Sequence, residues 1–203
     1  MHTFSGKLGS TVGYQKFGDN LERILGKSFS PKNPKTQKQL MARAKFTLLN
    51  NFLNKINGFI EKPFRSSTMP ARSACYSLNH ADTVGGTYPN YEVLYNKFRV
   101  SKGSILLPYS PSAVVDSQSL NISWTDNSGI DNANADDQAM ILVFNSAKGS
   151  TVYTFTGGTR ENRQGSITLP TAWSGDSVDV WMAMSNANQN KFSESVYLGN
   201  FSI

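Results

Sequence analysis

The sequence predicts a mainly β protein: a C-terminal antiparallel β-sandwich, preceded by a Gly-rich arm expected to form a β-hairpin and by one long amphipathic helix. Three observations carry this. From Phe98 onward, apolar residues recur at every second position in short segments separated by turn residues. Between Met41 and Phe59 they recur at three- and four-residue steps instead. Ahead of that, Gly6, Gly9, Gly13, Gly18 and Gly26 interrupt a basic stretch too often for a compact core. The chain thus divides into a basic arm (1–32), a helix (33–61), a connector (62–96) and a sandwich domain (97–203).

In the arm, Val12–Phe17 and Leu21–Leu25 are expected to pair about Gly18-Asp19-Asn20, because Gly and Asn tolerate the positive φ of hairpin turns. Two strands alone are marginal in water, so such a hairpin needs a surface to lie on. Its glycines match neither the dinucleotide fingerprint nor the Walker pattern, and no cofactor is expected.

The helix has two candidate starts. Asn33-Pro34 offers a cap followed by a proline suited to the first turn, and Thr36 with Gln39 offers a capping box. Met41, Ala44, Leu48, Phe52, Ile56 and Phe59 form its apolar stripe, widened by Leu49, Leu53 and Ile60, and Asn57-Gly58 is the expected stop. From Pro34 to Asn57 such a helix measures about 36 Å. Lys35, Lys38, Arg43 and Lys45 crowd its first half, where positive charge opposes the helix dipole and a nearby anion would relieve it. A sandwich uses its inner faces on itself, so the stripe must cover an outer face, meet the arm or meet another copy. A neighbouring subunit is the expected answer. Lys32, Lys35, Lys38, Arg43 and Lys45 would meet an acidic subunit or packaged nucleic acid, and Met41, Leu48, Phe52, Ile56 and Phe59 would form the buried helix face.

The connector carries Pro63, Pro70, Pro89, Gly85 and Gly86 and little periodicity, so no second helix is expected in it. Phe64, Met69, Tyr76, Tyr88, Tyr91 and Tyr95 mark it as draped on a surface rather than free. The sandwich follows in about seven strands. Val178, Val180, Met182 and Met184 fall on one side of a strand, with Asp179, Trp181 and Ala183 on the other, and Leu120, Ile122 and Trp124 line a face with Trp124 in the core.

The totals fit this reading. The chain has 203 residues, a net charge of +6 and an apolar fraction of 38%. Asn, Ser, Thr and Gly are plentiful, which favours strands and turns over a helical bundle. Residues 1–75 carry thirteen Lys or Arg against three acidic groups, whereas residues 76–203 carry seven against eleven. A basic segment joined to a mildly acidic domain suits an anionic partner. Cys75 is the single cysteine, so the fold holds without an intrachain disulfide. MHTFSGKLGSTVGYQ has no apolar run after a basic start, which disfavours signal-peptide-dependent secretion, and no stretch is long enough to span a bilayer.

Chemistry is sparsely signalled. Cys75 lies five residues before His80, but nothing in the sequence holds the pair together, and two histidines with one cysteine are too few for a structural zinc. Asp126, Asp131, Asp136 and Asp137 fall in the loop DNSGIDNANADD, which offers oxygen ligands to calcium without the EF-hand spacing. A solvated turn is the default for such a loop. No enzyme activity is expected.

Two stretches carry a family resemblance: NPKTQKQLMARAKF, from Asn33 to Phe46, and LPTAWSGDSVDVWMAMSN followed by SESVYLGNF. Together they resemble an uncharacterised family of Bacteroidota proteins and, with it, phage-associated structural proteins. The resemblance implies an arm and helix joined to an Ig-like or fibronectin-III-like domain, and it carries no catalytic residues. The expected function is therefore a structural protein of a larger particle, a bacteriophage virion assembled in the host cytoplasm. Its partners are other subunits, as a homo- or hetero-oligomer, with a non-specific nucleic-acid contact open to the basic arm. The alternative is a cytoplasmic or cell-surface module that binds carbohydrate or protein through loop aromatics such as Trp173.

Overall fold

A computed structural model describes residues 5–24, 36–66 and 68–203. The chain divides into two units, residues 1–40 and 41–203. The described strands of the first unit form a three-stranded antiparallel meander, β1 (Gly6–Leu8), β2 (Thr11–Lys16) and β3 (Asp19–Ile24). Lys16 pairs with Asp19, so the β2–β3 turn is Phe17-Gly18, with φ of 54° and 92°. Two successive positive φ values are the signature of a two-residue hairpin turn whose twist matches that of its strands. The expected hairpin is therefore present with its turn one residue earlier than Gly18-Asp19-Asn20. A third strand, absent from the sequence reading, joins it through Gly9, which turns at φ 58°.

Helix α1 spans Gln37–Lys55, and the Thr36 hydroxyl accepts from the Gln39 backbone N–H at 3.4 Å. The start at Thr36 is thus the one seen, while Asn33-Pro34, Lys32 and Lys35 lie outside the described residues. The chain breaks at Ile56 and resumes as α2 (Asn57–Ile60), one turn that carries Phe59 and Ile60 into the core.

The connector is structured, contrary to expectation. It contains helix α3 (Ala71–Asn79) and the hairpin β4 (Val84–Thr87) and β5 (Asn90–Val93). The helix escaped the sequence reading because three of its five core-packed apolar residues, Ala71, Ala74 and Cys75, are small, with Tyr76 and Leu78 the large members. Small side chains at helical spacing give a faint periodic signal.

The remaining seven strands form the expected sandwich. β6 (Tyr109–Asp116), β7 (Ser119–Thr125) and β10 (Gln164–Thr168) make a sheet of order β10-β7-β6, and β8 (Gln138–Asn145), β9 (Ser150–Thr154), β11 (Ser177–Ser185) and β12 (Val196–Ser202) make one of order β12-β11-β8-β9. Every pairing is antiparallel. Three strands facing four, with the strand after β8 joined to its own sheet, is the fibronectin-III-like form of the Ig-like sandwich.

The four-stranded sheet is covered on both faces. Along β8, Ala139, Ile141 and Val143 point into the sandwich core with Leu120, Ile122 and Trp124, while Met140, Leu142 and Phe144 point the other way. Along β11, Val178, Val180, Met182 and Met184 face inward, and Trp181 and Ala183 face outward. On that outer face lie Leu49, Phe52, Leu53, Ile56, Phe59 and Ile60 of α1 and α2, with Cys75 of α3. Burial on both faces explains why β8 reads AMILVF without polar alternation. The helix stripe thus has its receiver within its own chain.

Candidate interaction surface

The ten residues expected at an interface fall into distinct settings. Phe52, Ile56 and Phe59 are 4%, 0% and 0% exposed in the second core. Phe52 stands at its centre, with ring centroids 4.8 Å from Phe98, 5.0 Å from Phe144 and 5.2 Å from Tyr95. These three side chains pack against the protein's own sheet, which corrects the expectation that they meet a neighbour. Lys38, Arg43 and Lys45 are exposed, and Met41 and Leu48 are half-buried. The apolar stripe therefore divides along its length, with its C-terminal half in the core and its N-terminal half at the surface.

That surface half borders a groove of about 380 Å³ lined by Arg43, Ala44, Thr47, Leu48 and Asn51 of α1 and by Pro89 and Tyr91 of the β4–β5 hairpin. Lys45 Nζ stands 5.1 Å from the centroid of the Tyr91 ring. A smaller depression of about 190 Å³ shares Leu48 and Asn51 and is floored by Phe52, Tyr95 and Phe144, with Lys55 at its side. The groove joins apolar patches (Ala44, Leu48, Pro89 and the Tyr91 ring) to polar Thr47 and Asn51 under a basic rim, the makeup of a surface that takes a mixed segment carrying acidic groups.

The arm presents a second surface. Its register places Lys7, Val12, Tyr14, Lys16, Asp19, Leu21 and Arg23 on one face and Leu8, Thr11, Gln15, Asn20, Glu22 and Ile24 on the other. Leu8 is 70% exposed and Ile24 75%, and Tyr14, Phe17 and Leu21 are exposed as well. Apolar residues thus stand open on both faces of a sheet that has no second layer among the described residues of its unit.

The chemical candidates resolve differently. The 126–137 loop is organised by a cation that the protein itself provides. Arg160 is fully buried; it donates to Asp137 Oδ2 at 2.8 Å through Nη2, to Asn127 Oδ1, and to the carbonyls of Leu106 and Asn134. Its own carbonyl accepts from Trp124 Nε1 at 2.9 Å. Asp126 is held below the usual carboxylate range, first by the Ser128 hydroxyl and then by the Ser128 backbone N–H. Asp131 and Asp136 are exposed. Among the described residues no group of three or more His, Cys, Asp or Glu side chains is placed to hold a metal ion.

Cys75 lies in helix α3 and His80 directly follows its end, but the two do not form a site. Cys75 is fully buried, and burial pushes its thiol up to about 12, partly offset by the hydrogen bond from Asn79. His80 is exposed and stacks on Tyr76 at 5.5 Å. Trp173, expected as an exposed reader, is 3% exposed and lies in the sandwich core, because the 3₁₀ turn Thr171–Trp173 folds it under the sheet end. Among the described residues no helix is long and apolar enough to cross a membrane.

Residues 3–199 match the sequence profile of a family of unknown function, DUF6266. The chain belongs to this family. The DUF6266 match runs from the arm through the helices to β12, so the arm and the sandwich fall within one family unit. No curated protein matches the chain.

Proposed function

We propose that this DUF6266 chain is a structural subunit of a larger particle, and that the particle is a bacteriophage virion. The observation that carries the reading is the arm. A single sheet needs a second layer to bury its apolar residues, and Leu8 and Ile24 stand 70% and 75% exposed on this one. A neighbouring subunit supplies that layer. The groove beside α1, with Arg43 and Lys45 at its rim, receives an acidic and apolar segment of a neighbour in the same assembly. The likeness of NPKTQKQLMARAKF and the β11 region to phage-associated structural proteins, together with the basic first 75 residues, points to a virion rather than another assembly.

Light scattering after size-exclusion chromatography tests the assembly role. The full chain is expected to run as an oligomer, and the double variant Leu8→Ser, Ile24→Ser is expected to shift it toward monomer with unchanged circular dichroism. A full chain that stays monomeric at every concentration overturns the proposal. Detection of its peptides by mass spectrometry in gradient-purified phage particles tests the virion assignment, and absence from such particles rejects it. A nucleic-acid contact of Lys7, Lys16 and Arg23 would appear as DNA retention that falls steeply with salt, by a slope of about 0.9 in log K per phosphate neutralised.

A further inference from the structure

We propose that the pocket between the turn after α2 and the β11–β12 loop binds an oxyanion, carboxylate or phosphoryl, of a small polar ligand. The pocket holds about 360 Å³ and is lined by Lys62, Arg65, Asn188, Gln189, Asn190 and Phe192. Two cations and three amides line it and no carboxylate does, so its field favours an anion. An anion site also needs donors fixed in place before the ligand arrives, and Lys62 on one side and the loop on the other meet that condition.

On the α2 side, Lys62 is half-buried. Its Nζ lies 4.0 Å from the centroid of the Phe155 ring, and Phe155 stacks in turn on the buried Phe59. The ammonium donates to Gln189 Oε1. An ammonium has three N–H donors, so with Gln189 Oε1 its one hydrogen-bond acceptor among the described residues and the Phe155 ring on another side, it keeps donor capacity for a ligand. Arg65 is exposed and forms no ion pair among the described residues. Its guanidinium presents the planar fork that fits carboxylate and phosphate oxygens.

On the loop side, Asn186 fixes the chain. Its Oδ1 accepts from the backbone N–H groups of Asn190 and Lys191, both at 3.0 Å, and its Nδ2 donates to Asn190 Oδ1 at 2.8 Å. The Asn186 carbonyl accepts from Gln189 N–H at 2.8 Å, and Gln189 sits at φ 52°. A loop tied by its own side chain loses little entropy when a ligand binds. Its amides and the Phe192 ring add neutral polar and apolar contacts, which suit a hydroxylated ligand body beside the oxyanion.

The test is an amide NMR titration of the full chain with three probes: glucuronate, inorganic phosphate and neutral glucose. Glucuronate or phosphate is expected to shift resonances of residues 186–192 and the side-chain amides of Asn188, Gln189 and Asn190. Tighter binding of glucuronate assigns a carboxylate source, and tighter binding of phosphate a phosphoryl source. Arg65→Gln, an exposed substitution that leaves the fold intact, is expected to weaken either ligand by about tenfold, as loss of one charge-assisted contact does. Lys62→Gln should weaken it further, with the unperturbed β8 and β11 resonances certifying the fold. No shift in this loop, shifts equal with glucose, or shifts insensitive to Arg65→Gln overturn the proposal. The Leu8→Ser, Ile24→Ser variant, used as the NMR sample, keeps this titration separate from the assembly proposal, since both substitutions lie in the arm and neither in the pocket.

Discussion

Arg160 shows what a buried charge demands. Both it and Asp137 are fully buried, so the pair stands because the guanidinium also finds Asn127 Oδ1 and the Asn134 carbonyl in the loop and the Leu106 carbonyl beside it. Replacing Arg160 with Leu leaves Asp137 buried without its partner and is expected to cost about 3–5 kcal/mol, whereas replacing both by apolar residues costs less. Urea denaturation of the two variants checks the order. An Arg160→Leu variant as stable as the double replacement contradicts the pairing. Cys75 gives the second residue-scale prediction. Its thiol, raised from 9.0 to about 12, favours the protonated form in the folded state. The stability it contributes is therefore full below pH 9.0 and is lost as pH rises toward about 12. Native protein should leave a thiol reagent unreacted at neutral pH and react once unfolded, and Cys75→Ala should lose less stability across that alkaline window.

At the scale of the element, α1 is half core and half surface. The Thr36 cap was readable in the sequence because its chemistry is local, whereas the reciprocal half of the expected box is not made: Gln39 Oε1 has no hydrogen-bond partner among the described residues. The depth of the stripe was not readable, because it depends on a sheet that the chain forms eighty residues later. Phe52 marks the buried half: Phe52→Ala empties the space among Tyr95, Phe98 and Phe144 and is expected to destabilise by about 3–5 kcal/mol. The same truncation at Phe46, 54% exposed on the same helix, should cost far less. Equal midpoint shifts in thermal melts would place the helix elsewhere. The connector teaches the converse lesson. Its helix is written in Ala and Cys, residues that fit closely but barely register as a pattern, and its hairpin turns on Tyr88-Pro89 between strands of four residues.

For the whole molecule, the sandwich was legible because alternation along β7 follows directly from one face being inside. The runs AMILVF and VWMAM also held the news that a third layer exists, since strands greasy at consecutive positions are covered on both sides. That signal identifies the helices' receiver as the outer face of the sheet, one of the three places the stripe left open. The candidate surfaces were legible only in part. Lys38, Arg43 and Lys45, expected to meet an acidic subunit or nucleic acid, stand exposed on α1, while the pocket around Lys62 draws on loops about 120 residues apart, a proximity that no local pattern encodes.

The β8–β11 pairing at the middle of the three layers has a further consequence. Trp181 and Ala183 on β11 complete the floor beneath the helices, yet they are synthesised more than a hundred residues after them. Until that strand emerges, Phe52 and its neighbours have no permanent cover, so the nascent chain is a natural client for chaperones that shelter aromatic helices, and a message truncated before β11 should yield aggregate rather than a smaller folded protein.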